Sequence, residues 1–245
     1  MKKLISSLTA TLVFACASWA QTTESTPAEA SAEPISASAK SEWLSSFSAV
    51  QVNAPLDIVF IRIPAHEAPK IVYDTKGSYT TKFRFEVKNR VLRISERDDE
   101  RHPERTEVTV YYNTLESLSV TDAIVLFREP IVGDLFNLTV GTRTTLTATL
   151  DVKDLKMEVS GRCTATLNGT ARYLTLAAAT GTVEAIDLEV MSARVNVTTG
   201  GSLTLNVTDR LEATTATNGS IRYKTKPPIM RSEIRVMGGT IDRIK

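Results

Sequence analysis

Six glycines in the second half of the chain recur at an almost fixed interval. Gly141, Gly161, Gly181, Gly201, Gly219 and Gly239 are spaced by 20, 20, 20, 18 and 20 residues. Their surroundings repeat with them. "LKMEVSG", "LTLAAATG", "RVNVTTGG", "LEATTATNG" and "IRVMGG" lead into the glycines. Apolar residues follow two and four positions on: Cys163 and Ala165, Val183 and Ala185, Leu203 and Leu205, Ile221 and Tyr223. Self-similarity at this period marks a solenoid, whose units bury an apolar face only by stacking on their neighbours. The period is too short for a propeller blade, and the leucine-rich consensus is missing. A parallel β-helix fits, with each coil rising by about 4.8 Å, the inter-strand spacing.

Threonine and valine dominate these units because β-branched side chains suit a stacked, pleated surface. Glycine at a corner implies a positive φ, which costs any residue with a Cβ. The predicted unit is therefore strand, glycine corner, strand and connection, with six equivalent corners. The repeat loosens at its ends. After Gly141 the apolar triad of Leu146, Ala148 and Leu150 starts late, and Gly239 is followed only by Ile241.

Upstream of the repeat, "VQVNAPLDIVFIRI", "KIVYDT", "FRFEVKNRVLRISE" and "TEVTVYY" place apolar residues at every second position, the signature of strands. Lys88-Asn89-Arg90 reads as the turn of a hairpin between Phe83–Val87 and Val91–Ser95. "ERDDERHPER", residues 96–105, has no hydrophobic period and reads as a solvated loop. The whole is an all-β chain in which hairpin strands precede a solenoid of about 20-residue coils.

The N-terminus is of a different kind. Lys2 and Lys3 precede an apolar run from Leu4 to Ala20, interrupted by Ser6, Ser7, Thr9 and Thr11. The run is too short and polar to span a membrane comfortably, and Ser18-Trp19-Ala20 supplies the small residues of a cleavage site. Residues 1–20 read as a bacterial secretory signal cleaved after Ala20. Val13-Phe14-Ala15-Cys16 loosely matches a lipidation site, with the bulky Phe14 against it. Residues 21–42 are Ser, Thr, Ala, Glu and Pro with little to bury, and read as a disordered spacer. The folded domain is expected over 43–245.

The chain has 29 basic and 28 acidic residues, and loss of Lys2 and Lys3 with the signal leaves 27 against 28. Such a balance offers no electrostatic footprint for nucleic acid. No further apolar run is long enough for a transmembrane helix in the mature chain. The only cysteine outside the signal is Cys163, so no intramolecular disulfide can form. Cys163, Ala165 and Leu167 share one parity of a strand, which makes Cys163 a small buried hydrophobe rather than a nucleophile.

From Phe47 onward the order of motifs resembles the head-GIN-domain family of autotransporter adhesins. The resemblance rests on "VQVNAPLDIVFI", "VKNRVLRIS", "VTVYYNTLESLSV", the glycine-punctuated strands and the closing "NGSIRYKTKPPIMRSEIRVMGGTIDRI". It implies an exported, right-handed β-helix-like protein of the bacterial envelope and brings no catalytic residues. Two positions depart from the family pattern. Thr225 stands where the family usually has glycine, and Thr121-Asp122 replaces its first Gly-rich corner.

The sequence offers few sites. No glycine-rich loop opens a helix, no Walker lysine follows one, and no nonapeptide repeat supplies aspartates for calcium. Neither a cofactor nor a metal is expected. The two histidines, His66 and His102, have no partner residue in view. Asp151, Asp154, Glu158, Asp187, Glu189, Asp209 and Glu212 are the acidic candidates in the regular coils. A 20-residue period sets Glu189 on Asp209, with Asp187 two positions short, a possible acidic ladder. The bland alternative pairs such acids with Arg194 and Arg210. Asn-x-Ser/Thr triplets at Asn137, Asn168, Asn196, Asn206 and Asn218 are assigned to turns rather than to glycans.

Two functions remain. The first is a non-catalytic envelope scaffold of adhesin type that contacts an envelope protein or a glycan. The second is a carbohydrate-active enzyme, a lyase or hydrolase, built on the same fold. Pro227-Pro228 and the basic Arg235, Arg243 and Lys245 suggest protection of the C-terminal edge, so a monomer or a side-to-side oligomer is expected.

Overall fold

A computed structural model describes residues 38–76, 82–97, 104–235 and 238–244. The signal with Ala20 and Cys16, most of the spacer, His102 and Lys245 lie outside the described residues. Within them the chain is all β. The first part holds β1 (Lys40–Trp43), β2 (Ala49–Arg62), β3 (Lys70–Asp74), β4 (Phe83–Lys88), β5 (Val91–Glu96) and β6 (Thr106–Tyr112). The coils hold β7 (Ser117–Phe127), β8 (Ile131–Val140), β9 (Thr145–Ser160), β10 (Thr164–Ala179), β11 (Thr182–Thr198) and β12 (Ser202–Thr215). Three short strands close the chain: β13 (Gly219–Tyr223), β14 (Ile229–Ile234) and β15 (Gly239–Arg243).

The expected solenoid is present, with about seven turns of about 19 residues. From β7 to β13 each strand pairs in parallel with a strand of the next coil, and the series ends with β14 on β12 and β15 on β13. The hairpin is also present: β4 and β5 are antiparallel, and Lys88 pairs with Val91. Its turn is Asn89-Arg90, whose φ angles of 53° and 62° match the tight hairpin turn that follows strand twist. Pro55 sits inside β2, at a register shift between Asn53 and Leu56 where its missing N–H interrupts no ladder.

Alternation explains the core. In β9 the side chains of Leu146, Ala148, Leu150 and Val152 point inward and are buried. Lys153 and Asp154 are then exposed in succession, and burial resumes at Leu155, Met157 and Val159. The same break falls at Arg172-Tyr173 in β10, before Leu174, Leu176 and Ala178. What the sequence suggested was a connection is therefore strand, bent where two consecutive residues face water. Register stacks Leu146 on Ala165, Val183, Leu203 and Ile221, each about 0% exposed. Full burial of each larger member contributes about 1.5–3 kcal/mol.

The six corners are not equivalent. The amides of Thr164, Thr182, Ser202 and Ser220 donate to the carbonyls of Thr144, Cys163, Gly181 and Gly201 in the coil before, all at 2.9 Å. These bonds align Gly181 with Gly201, and strand pairing carries the column on through Gly219 to Gly239. Thr144 and Cys163 hold that position in the earlier coils, while Gly141 and Gly161 lie three and two residues before it. Nor is φ the general reason for glycine. Gly141, Gly181, Gly201 and Gly219 lie outside the left-handed region, which is taken instead by Asp122, Arg143, Thr180, Thr199, Thr217 and Asn218. Space decides at Gly181, where a Cβ would overlap Val159 and reach 3.0 Å from Cys163 Sγ. Close approach between coils, not backbone strain, selects the residue there.

Candidate functional site

Because consecutive exposed residues recur once per coil, they stack into a row. Register aligns Leu135, Asp154, Tyr173, Ser192, Arg210 and Ile229 across six successive strands. A groove of about 620 Å³ runs beside this row across β8 to β12. Asp134, Asp151, Lys153, Thr170, Arg172 and Glu189 supply its polar groups. Val132 and Met191, 51% and 37% exposed, supply its apolar ones. A smaller hollow of about 260 Å³ adjoins it at Tyr173 and contains Arg194, Arg210 and Glu212.

Most charges here are answered by a neighbour. Lys153 Nζ lies 2.6 Å from Asp134 Oδ1. Thr170 donates its hydroxyl to Asp151 Oδ1 at 3.1 Å. Glu212 accepts from Arg194 Nε at 2.9 Å and from Arg210 Nη2 at 2.6 Å. Hydrogen bonds from Arg194 and then Arg210 hold the Glu212 carboxyl below the usual carboxylate range. The bland reading of these acids is the one that the geometry carries for Glu212.

The predicted acidic ladder does not form. Register shifts between Ala185 and Glu189, and again between Val190 and Ser192, set Glu189 on Asn206 rather than on Asp209. A constant 20-residue period misplaces this pair because β12 has fewer residues on that stretch than β11. Asp187 pairs with Asn168. Glu189 instead shares a column with Thr170 and Asp151, which separates the two carboxylates by two coils, about 9.6 Å. Both are exposed to solvent. Asp154 and Glu158 are exposed on β9, the latter in register with Thr139 and Ala177.

Cys163 is buried, and its thiol faces the carbonyls of Val140, Ser160 and Gly161. Burial pushes the thiol pKa up, the opposite of what a nucleophile requires. His66 is exposed. Among the described residues no three His, Cys, Asp or Glu gather as a metal site. Of the five triplet asparagines only Asn218 lies at a turn. Asn137, Asn168, Asn196 and Asn206 lie within strands, where alternation rather than turn geometry places them. Thr225 occupies a bend and does not take a left-handed φ, so nothing there requires the family's glycine.

Sequence reasoning missed one cluster altogether. Asp122 turns the first corner with φ 64°, and its buried carboxylate receives Arg143 Nε at 3.1 Å and Nη2 at 2.6 Å. Arg105 donates Nη2 to the carbonyls of Leu56 and Asp122, and its Nε lies 2.7 Å from Asp57 Oδ1. This chain of charges ties the first coils together at their corner. Its only signal in the sequence was that Asp122 and Arg143 stand about one period apart.

Comparison with known proteins agrees with this architecture. The profile of the family described as "Putative auto-transporter adhesin, head GIN domain" matches residues 46–227. A crystal structure of a putative adhesin from Bacteroides fragilis superposes with a TM-score of 0.73 at 20% identity, covering 84% of this chain and 96% of that one. One from Parabacteroides merdae gives 0.61 at 19% identity, with 85% and 96% covered. A putative lipid binding protein from Parabacteroides distasonis gives 0.61 at 16% identity, with 84% and 96% covered. At these identities the likeness is one of fold. No curated protein matches the chain.

Proposed function

The chain belongs to the head GIN domain family, described as "Putative auto-transporter adhesin", and from that premise we propose that it is an exported, non-catalytic adhesin-type scaffold of the bacterial envelope. Its contact surface is the groove across β8 to β12, and its ligand is an envelope glycan. The observation that carries this reading is the make-up of that groove. Half-exposed Met191 and Val132 in the groove, and half-exposed Tyr173 in the smaller hollow, stand among hydroxyls and ion-paired side chains repeated at the coil spacing. An apolar ring face beside fixed donors and acceptors suits a sugar, which presents C–H faces and hydroxyl edges together. The secretory signal and spacer deliver such a scaffold to the periplasm or the outer surface.

One observation favours a carbohydrate-active enzyme as a second reading: Asp151 and Glu189 share one column of the groove. The spacing of about 9.6 Å lies at the upper edge of that used by inverting glycosidases. Against it, no apolar wall separates the two exposed carboxylates into an acid and a base.

The test is retention of the chain lacking residues 1–20 on immobilised peptidoglycan and lipopolysaccharide from a Gram-negative envelope, with cell fractionation alongside. Wild type should be retained on one of them, and Arg172→Ala with Tyr173→Ala should weaken retention at least tenfold. Absence of retention on both, or a cytoplasmic location, would overturn the proposal. Release of new reducing ends that stops in Glu189→Gln would establish the enzyme instead.

A further inference from the structure

The two ends of the solenoid are finished differently. At the N-terminal end β2 is flanked by β5 and β6, which carry β4, β3 and β1. At the C-terminal end β14 pairs only with β12, and β15 only with β13, among the described residues. Among the described residues the last coil therefore offers an unpaired backbone edge, and no described strand covers its inward positions. Met230 stacks on Leu211, Ser232 on Ala213 and Ile234 on Thr215. Leu211 and Thr215 are about 0% exposed, yet Ile234 is 56% exposed. An edge of this kind is a template for another strand.

The sequence of that edge is self-complementary. Met230-Arg231-Ser232-Glu233-Ile234 is a palindrome in chemical character. If two copies pair antiparallel about Ser232, Arg231 of each faces Glu233 of the other, Met230 faces Ile234, and Ser232 faces its own counterpart. Alternation puts Met230, Ser232 and Ile234 on the core side and the charges outside. One register thus satisfies the backbone edge, the apolar face and the charge pattern at once. We propose that β14 is an interface with a second copy of this chain, which joins two solenoids tail to tail about a two-fold axis through Ser232. Such an interface is isologous and closed, so it yields a dimer and no filament.

The devices expected to protect this edge do not block the pairing. Pro227 and Pro228 precede β14 and leave its amides free. Arg235 is held by Glu233 at 2.9 Å, so the described end is far less basic than Arg235, Arg243 and Lys245 suggest alone. The proposed tail-to-tail dimer is an alternative to the monomer or side-to-side oligomer expected from the sequence. It is independent of any glycan in the groove, and each can fail without the other.

Charge exchange tests the register. In sedimentation equilibrium of the chain lacking residues 1–20, wild type should reach a concentration-dependent dimer. Arg231→Glu and Glu233→Arg should each raise the dimer Kd at least tenfold, because like charges then face each other. The double exchange Arg231→Glu/Glu233→Arg should restore wild-type association, with circular dichroism confirming that every variant is folded. Ser232→Cys should crosslink under mild oxidation, and the buried Cys163 should not compete. A wild type that stays monomeric overturns the proposal. So does a dimer whose Kd the single exchanges leave unchanged, or one that the double exchange fails to restore.

Discussion

The N-terminal end and the regular coils solve the same burial problem with different side chains. At the N-terminal end Phe60 stacks on Phe127 at 4.7 Å, and Tyr112 meets both rings edge-on at 6.1 and 6.3 Å. Tyr73, Phe83 and Phe85 form a second aromatic cluster above the hairpin, with centroids 4.9 to 5.9 Å apart. After Phe136 the chain contains no further phenylalanine. The coils from β9 onward fill their interior with Leu, Val, Ala and Met in repeated columns. A stacked coil is closed above and below by its neighbours, so short side chains suffice. A terminal coil lacks one neighbour and needs large rings to close the core, or a partner.

Three substitutions would break or sharpen this contrast. The largest effect is expected for Phe60→Ala, which removes the centre of the aromatic plug. Large-to-small change at a fully buried ring should cost about 3–5 kcal/mol, measured as a lowered midpoint of chemical unfolding. If the end were a loose addition to the coils, the midpoint of the coils would not move.

Arg143→Ala comes next. It leaves the buried Asp122 carboxylate without its bidentate partner at the corner joining the first coils. Loss of charged hydrogen bonds should cost about 1.5–3 kcal/mol. Amide exchange should accelerate first at Asp122 and Gly141, whose amides bond across this corner. Equal acceleration in the distant coils would show that the corner is not a local clamp.

The smallest effect has the opposite sign. Among the described residues the Tyr112 hydroxyl is buried without a hydrogen-bond partner, and burial, with Glu129 nearby, pushes its pKa from 10 up to about 12. Tyr112→Phe removes that orphan group and should stabilise the fold by about 1 kcal/mol. The raised pKa fixes the sign of a pH effect. Below pH 10 the phenol is neutral in both states, and its share of stability is intact. Between pH 10 and 12 the unfolded chain ionises first, so stability falls as pH rises. Unfolding midpoints at pH 9 and pH 11 should therefore diverge in the wild type more than in Tyr112→Phe.

Much of the fold was legible because burial in a strand follows parity. The hairpin at Asn89-Arg90, the strands over Ala49–Arg62 and Thr106–Tyr112, and the buried Cys163 could all be read from local alternation. The candidate site was legible only in its parts. Arg194 and Arg210 could be read as bases near the acids, but a 20-residue period sets Arg194 on Thr214 rather than on Glu212, where the register places it. The placement of Glu189 could not be read either, because one shifted register moves every outward neighbour on a strand.

By itself the sequence determined the class of fold. Apolar residues at every second position require strands, and their return with the glycines at near-constant spacing requires stacked coils. Tertiary structure alone decided which glycines are equivalent, which acid lies over which, and that β14 and β15 are paired on one side only among the described residues. Those outcomes depend on bulges and close approaches between coils. A single inserted residue or one Cβ in a tight space outweighs any regularity counted along the chain.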